Sequence, residues 1–156
     1  MSTEKEGYNR IYAGINIDNL RYNVKTMKSL VKPDMKTLLV IKADAYGHGS
    51  VEIARRTLDL ADYFGVATID EAIELRNTGI KKQILIIGYT DRDNYDKLIA
   101  YNITQAVYDV NECKVLSDLA LSKGKKAKVH IKVDTGMSRI GFITDDNGVN
   151  EAAKLA

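Results

Sequence analysis

The 156-residue sequence has one cysteine, one proline and no tryptophan. The single cysteine, Cys113, excludes an internal disulfide framework and is typical of proteins from a reducing compartment. The net charge is only +2, so no basic stripe indicates a nucleic-acid partner. No apolar run approaches the roughly 20 residues of a membrane span, and the start "MSTEKEGYNR" lacks the hydrophobic core of a signal peptide. We therefore expect a cytoplasmic protein with no membrane segment within this chain.

Apolar, β-rich runs alternate with helical patterns along the sequence. With 45% hydrophobic and 28% charged residues, the composition is ordinary for a globular domain. Strands are predicted over residues 11–17, 37–41, 64–68, 83–88, 104–108 and 128–133. Helices are predicted from a cap at Asp18 to Pro33 and near residues 51–61, 70–78, 94–101 and 110–123, with Gly79 and Gly124 at helix C-termini. Apolar strands separated by single helices indicate parallel βα units.

Such units build either a doubly wound sheet or a (β/α)8 barrel. A doubly wound sheet usually carries a glycine fingerprint after its first parallel strand, and "KADAYGHG" (residues 42–49) is not that fingerprint. Five strands follow residue 36, whereas a barrel needs eight strands and about 250 residues. The sequence also stops in "EAAKLA", a helical pattern. We therefore predict an α/β fold that is the N-terminal portion, about five βα units, of a TIM-type barrel.

The strand over residues 37–41 runs directly into Lys42. By alternation Leu38, Val40 and Lys42 share one face, and both architectures bind ligands at the C-terminal ends of their strands. An amine that reaches this place past apolar neighbours is partly desolvated, and a neutral amine can form a Schiff base. A lysine that merely extends to solvent from a strand end is the simpler interpretation. The residues alone therefore make Lys42 only a candidate.

Three segments resemble the alanine racemase family of pyridoxal-phosphate-dependent racemases. "VIKADAYGHG" (residues 40–49) is similar to the family's cofactor-attachment motif nearly residue for residue. "VATIDEAIELRNTGI" (66–80) and "HIKVDTGMSRIGF" (130–142) resemble two further family segments, in the right order and spacing. The resemblance implies a pyridoxal-phosphate-binding barrel followed by a C-terminal β-domain. Residues 18–156 would then be part of the barrel, and the strand within residues 1–17 would belong with the β-domain, which is absent here.

The resemblance also implies roles for individual residues. Lys42 would attach pyridoxal 5'-phosphate as the Schiff-base lysine and act as one of two catalytic bases. Tyr46 would contact the cofactor phosphate. Arg139 would lie close to the cofactor's phenolic oxygen and bind the substrate carboxylate, a role that suits a permanently charged group with two parallel donors. No metal is expected.

Lys132 is a less obvious member of this set. His130, Lys132 and Asp134 share one face of the predicted strand by alternation, and this polar face is expected to point into the barrel. Family members often carry a carbamylated lysine at this position, and its negative charge could pair with Arg139. A bare Lys132 paired with Asp134 or another carboxylate is the alternative that stays open.

Other reactive residues receive simpler interpretations. His48 alone forms no metal site, because zinc needs three or four convergent ligands, and an indirect role is the most we expect. Asp70 is predicted to cap a helix, with Glu71 in its first turn, rather than to form an acid–base pair. Cys113 lies within a helical pattern and is predicted to be structural.

The function implied by the resemblance is racemisation of L-alanine to D-alanine for peptidoglycan precursors. The second base would be a tyrosine from the β-domain of a second subunit, so an active enzyme implies a homodimer, and the 156-residue chain alone is expected to be inactive. A serine racemase of the vancomycin-resistance type, whose parent carries a membrane tether, is one alternative. A non-catalytic pyridoxal-phosphate carrier of similar barrel type is the other.

Overall fold

A computed structural model describes residues 11–155 of the chain. Five parallel strands form one sheet: β1 (Leu38–Val40), β2 (Tyr63–Val66), β3 (Gln83–Ile86), β4 (Thr104–Val107) and β5 (Lys128–Ile131). Their spatial order equals their order along the chain. A doubly wound sheet would reverse this order at a switch point, so the progression β1-β2-β3-β4-β5 confirms the barrel-type arrangement. Two shorter strands, β6 (Val133–Asp134) and β7 (Phe142–Ile143), pair in parallel beside it.

Helices occupy most of the connections between strands. They are α1 (Ile17–Ser29), α2 (Lys42–Gly47), α3 (Ser50–Arg56), α4 (Ile69–Asn77), α5 (Tyr95–Ala100), α6 (Val110–Ser122) and α7 (Asp146–Ala153), and a short 3₁₀ turn at Arg92–Asn94 precedes α5. Gly79 and Gly124, with φ of +87° and +63°, follow the ends of α4 and α6 and confirm the predicted helix C-termini. Within residues 11–155, no helix combines the length and the hydropathy that crossing a bilayer requires.

The sheet has one helix-covered face and one open face. On the covered face Phe64 and Ile84 lie side by side in register, both 0% exposed, in a core that the helices complete. On the other face Leu38 and Val40 are 36% and 38% exposed. The predicted alternation is therefore confirmed for Leu38 and Val40, whereas Lys42 lies beyond the strand, at the first position of α2.

The open face is strongly concave. The rings of Tyr63 on β2 and His130 on β5 lie 5.8 Å apart, although β3 and β4 separate their strands. In a flat sheet three strand spacings would hold the two backbones about 14 Å apart. The sheet therefore curls toward this face, as the wall of a barrel does.

Two expectations about the N-terminal part were wrong. Residues 11–16 do not form the predicted strand over 11–17, and Ile17 instead begins α1. A strand needs a neighbour to pair with, and the side chains of Ile11 and Tyr12 are 91% and 69% exposed. The N-cap is Asn16 rather than Asp18, because its side chain accepts a hydrogen bond from the Asn19 amide at 2.9 Å.

The end of the first helix also differs from the prediction. Helix α1 ends at Ser29, four residues before Pro33, so the proline does not terminate it directly. Leu30 and Val31, which the helical pattern included, are 74% and 45% exposed. Since these apolar side chains stay largely exposed, a further helical turn would gain little from packing.

Candidate active site

Lys42 lies at the C-terminal end of β1, where the chain enters α2. The residue is half-buried, and its ammonium group makes no hydrogen bond or ion pair with the part of the chain that the structure describes. The free amine at the strand end is the first element of the site.

Helix α2 is a left-handed turn. Ala43, Asp44, Ala45 and Tyr46 have φ between +50° and +56°, although none of them is glycine. The left-handed conformation costs roughly 1–2 kcal/mol for each residue with a Cβ atom, about 4–8 kcal/mol for four such residues. Nothing in the sequence predicted this conformation. Strain of this size persists only where the surrounding structure holds the backbone in place.

Glu71 on α4 holds the start of this turn. Its Oε1 accepts a hydrogen bond from the Ala43 amide at 2.8 Å, and its Oε2 accepts one from the Ala67 amide at 2.7 Å. The sequence predicted for Glu71 only a place in the first turn of a helix. Its contact with Ala43 bridges 28 residues, so no local pattern could have indicated it.

The sequence predicted Asp70 as the N-cap of α4. In the structure the N-cap is Thr68. The Thr68 hydroxyl accepts from the Glu71 amide at 3.3 Å, and the Glu71 carboxylate accepts in return from the Thr68 amide, which completes a capping box. The pattern T-x-x-E was visible in the sequence and would have identified this start correctly.

Two further contacts hold the end of α2. Asp44 Oδ1 accepts from the Ser50 amide at 2.6 Å, which ties the turn to the first residue of α3. His48 Nδ1 lies 2.8 Å from the Ala45 carbonyl oxygen, so this nitrogen carries the proton and donates. His48 thus supports the turn that follows Lys42, in keeping with the indirect role expected for it.

Tyr46 belongs to the same turn as Lys42. Its side chain is 61% exposed and borders a cavity of about 330 Å³ at the free edge of β1. Leu39, Ile41 and Ala45 line the same cavity. The phenol is therefore accessible close to the end of β1, at a cavity on the helix-covered side of this strand.

Lys132 lies between β5 and β6, at the opposite edge of the five-stranded sheet. Its amide donates to the Val107 carbonyl at 2.8 Å, and its carbonyl accepts from the Phe142 amide at 2.9 Å. The predicted strand over residues 128–133 is therefore divided at Lys132, because the chain changes its pairing partner there from β4 to β7. Its side chain makes no ion pair with the described residues.

Arg139 lies in the loop between β6 and β7, which Asp134 organises. The Asp134 carboxylate accepts hydrogen bonds from the amides of Gly136 at 2.9 Å, Ser138 at 3.0 Å and Arg139 at 3.0 Å. These backbone donors hold the pKa of Asp134 below its usual range. Among residues 11–155, no ion pair joins this carboxylate to Lys132. The guanidinium of Arg139 is exposed.

The four predicted site residues form two pairs rather than one cluster. Lys42 and Tyr46 share α2, whereas Lys132 and Arg139 share the segment from β5 to β7. No hydrogen bond or ion pair within residues 11–155 joins any two of the four side chains. Both pairs follow the C-terminal ends of their strands, the side on which barrel enzymes bind ligands. Nor do three His, Cys, Asp or Glu side chains converge among the described residues to form a metal site.

This set of groups fits a pyridoxal phosphate. An unpaired amine can attach to the cofactor's aldehyde carbon, an accessible phenol can donate to a phosphate, and a free guanidinium can face an oxygen anion. In this structure Lys42, Tyr46 and Arg139 supply these three groups, each on the C-terminal side of the sheet.

The comparison with known proteins assigns the chain to a family. The sequence model described as "Alanine racemase, N-terminal domain" matches residues 15–156. The chain is 43% identical over 143 residues to alanine racemase 1 of Caldanaerobacter subterraneus subsp. tengcongensis, an alignment that covers 91% of the chain and 37% of that protein. It therefore spans little more than a third of the length of such relatives.

Solved structures agree with the sequence comparison. An alanine racemase of Clostridium difficile 630 superposes with a TM-score of 0.85 at 44% identity, covering 90% of this chain and 37% of that one. A histidine racemase of Leuconostoc mesenteroides subsp. sake superposes with a TM-score of 0.79 at 31% identity, covering 88% and 37%. By sequence match, strand order and concave sheet, the chain belongs to the alanine racemase family and forms part of its N-terminal barrel domain.

Proposed function

We propose that this chain carries the cofactor lysine of a pyridoxal-phosphate-dependent alanine racemase. The observation that carries the proposal is the unpaired amine of Lys42, held on a strained turn at the C-terminal end of β1 in a curled parallel sheet. The alanine racemases among its relatives support alanine as the substrate. When bound, pyridoxal phosphate supplies an electron sink that stabilises the negative charge left at the amino acid's α-carbon.

The chain's own residues would bind and orient around this group. Lys42 would attach the cofactor and, once displaced by the substrate, hold or release the α-proton on one face of the α-carbon. Tyr46 would donate a hydrogen bond to the cofactor phosphate. Arg139 would engage the substrate carboxylate with two parallel donors and neutralise charge near the cofactor's phenolic oxygen.

Inversion also needs a base on the opposite face, and we assign it to the portion of the relatives that this chain does not span. In this proposal residues 1–17 belong with a C-terminal β-domain, and residues 18–156 form part of the barrel. The second base reaches the site from the β-domain of a second subunit, so the active form is a cytoplasmic homodimer. Residues 1–156 alone should not racemise alanine, since they hold one of two bases.

Lys132 is proposed to carry a carbamate in the assembled barrel. Its amine is free of ion pairs with the described residues. Asp134, the carboxylate with which it was expected to pair if it were not carbamylated, accepts hydrogen bonds from backbone amides instead. A carbamate would give Arg139 an anionic partner of suitable charge. Electron density for three additional atoms on Lys132 would support the assignment, and a bare amine at high resolution would contradict it.

For the identity of the racemised amino acid, a second candidate has support. A histidine racemase shares this barrel segment with a TM-score of 0.79, so this portion of the fold is compatible with more than one side chain. Racemisation of another amino acid, serine included, is therefore the second candidate function. Comparing alanine, serine and histidine as substrates at equal concentration distinguishes them.

The proposal is tested in a protein that continues over the remaining length of the relatives, which we call the full-length protein. Lys42→Ala should remove both the visible absorbance of the attached cofactor and D/L-alanine interconversion. Lys36→Ala, which changes an exposed lysine before the other end of β1, is the matched control and should be unaffected. If borohydride still fixes the cofactor to the Lys42→Ala protein, another lysine is the anchor and the assignment is wrong.

A further inference from the structure

The amide of Ala43 directly follows Lys42, and its hydrogen-bond partner lies outside α2. Its acceptor is Glu71 Oε1 at 2.8 Å, from a helix that follows the neighbouring strand. The orientation of this peptide fixes the direction in which the Cα–Cβ bond of Lys42 leaves the backbone. Glu71 therefore contacts the backbone at the point that determines where the amine is placed.

The second oxygen of the same carboxylate is equally committed. Glu71 Oε2 accepts from the Ala67 amide at 2.7 Å and from the Thr68 amide at 3.4 Å, just beyond the end of β2. A single side chain thus joins the C-terminal ends of β1 and β2. Glu71 is half-buried and forms no ion pair with Lys42 among the described residues. Its direct contact with the Lys42 segment is therefore the hydrogen bond to the backbone.

We propose that Glu71 is a positioning residue for Lys42, whose carboxylate holds the strained turn after the cofactor lysine in its productive orientation. The expected effect on catalysis rests on the proposed function. The claim that Glu71 holds the turn rests on the hydrogen bonds alone. A carboxylate is required because both of its oxygens accept. Glutamine at this place offers one acceptor, and its amide group would face either the Ala43 or the Ala67 amide, donor against donor.

Loss of this contact should lower catalysis as well as stability. Lys42 carries its amine at the end of a flexible four-carbon chain, so a small rotation of the backbone displaces the nitrogen by a larger distance. Misplacement of a catalytic group by 1 Å can cost about a hundredfold in rate. We expect a decrease of about tenfold or more in kcat for Glu71→Gln, with KM for alanine little changed because Glu71 does not touch the substrate.

The matched control is Thr68→Ala. It removes the hydroxyl half of the same capping box and leaves the Ala43 contact intact. If Glu71 merely stabilises the start of α4, both variants should lower the melting temperature and neither should alter kcat selectively. If Glu71 positions Lys42, only Glu71→Gln should reduce kcat.

Hydrogen exchange supplies a readout that does not depend on activity. In the cofactor-free full-length protein, Glu71→Gln should accelerate exchange of the Ala43 amide at least about tenfold, while Thr68→Ala leaves it protected. Glu71→Asp keeps the charge but is one methylene too short to reach Ala43. It should behave like Glu71→Gln, which provides a second variant if the first folds poorly.

The outcomes separate this inference from the proposed function. Unchanged kcat and unchanged Ala43 protection in Glu71→Gln would overturn the positioning role while leaving Lys42 as the cofactor lysine. A wild-type protein that neither binds the cofactor at Lys42 nor racemises alanine would overturn the proposed function. In that case the exchange of Ala43 still decides whether Glu71 holds the turn.

Discussion

The two segments that carry the proposed site residues are held in opposite ways. Helix α2, with Lys42 and Tyr46, is fastened from other elements, by Glu71 of α4 and by the amide of Ser50 in α3. The loop from Asp134 to Arg139 is fastened by its own first residue, whose carboxylate accepts three amides within five positions. The first segment depends on tertiary structure and the second on local structure.

This difference indicates how each segment should respond to change. The turn at Lys42 carries a conformational cost that only the assembled core repays, so its geometry and the stability of the fold are coupled. The Arg139 loop can open without disturbing the sheet, because its contacts are exposed and local. Changes in the loop should therefore affect activity alone, whereas changes in α2 should affect activity and unfolding together.

Among the substitutions that test this difference between the segments, we expect the largest loss of activity at Arg139. Its guanidinium is exposed and supports no other part of the described chain, so Arg139→Ala should leave the melting temperature unchanged. Racemisation should fall about a hundredfold or more, because a charge-assisted contact to the reacting amino acid is lost. Arg139→Lys keeps the charge but loses the two parallel N–H donors of the guanidinium, so it should also be impaired. Steady-state kinetics of the full-length protein measure both effects.

Arg55→Ala is the control for this prediction, since Arg55 is another exposed arginine without a side-chain partner among the described residues. It should retain wild-type rates. Racemisation at near wild-type rates by Arg139→Ala would show that Arg139 is not part of the site. Of the two segments compared, only α2 would then have a role in catalysis.

A smaller effect is expected at Asp134. Asp134→Asn loses the Oδ2 acceptor of the Arg139 amide, so the loop should loosen and racemisation should fall about tenfold, with the melting temperature unchanged. Asp118→Asn, at an exposed carboxylate that accepts no backbone amide, is the matched control. Hydrogen exchange of the Arg139 amide reports the loosening directly. A lower melting temperature in Asp134→Asn would show that the loop is coupled to the sheet.

The same carboxylate predicts a pH dependence. Backbone donors lower the folded-state pKa of Asp134, so its contribution is complete above the unfolded value of about 3.9 and is lost as the pH falls through the lower folded value. Protection of the Arg139 amide should therefore disappear below about pH 4 in the wild type. In Asp134→Asn the remaining protection should not change over this range. Wild-type protection that falls with pH no more than in Asp134→Asn would contradict the assignment.

The regular elements were predictable from the sequence because their signals are local. Each of the five parallel strands formed within a few residues of the predicted range, and apolar alternation placed Leu38 and Val40 on the open face. The strand over residues 11–17 failed because pairing needs a neighbouring strand, which a pattern of alternating residues does not supply.

The geometry around Lys42 could not be predicted for a related reason. Left-handed backbone is usually indicated by glycine or asparagine, and Ala43 to Tyr46 contain neither. The group that enforces it, Glu71, lies far away in the sequence and looks like an ordinary residue of a first helical turn. Motif resemblance named Lys42, but the contacts that orient it became visible only in three dimensions.

The smallest expected effect tests the comparison most directly, because one substitution can be made in both segments. Ala43 and Ser138 both have exposed side chains and left-handed backbone, with φ of +50° and +56°. Glycine removes the steric cost at each, roughly 1–2 kcal/mol, against an entropic loss of about 0.4–1 kcal/mol in the unfolded chain. Ala43→Gly should therefore raise the free energy of unfolding of the full-length protein by about 0.5–1 kcal/mol, since α2 unfolds with the core. Ser138→Gly should slow amide exchange within its loop without raising the global value. Equal gains in urea denaturation for both variants would show that the Arg139 loop unfolds together with the sheet, and the distinction between the two segments would fail.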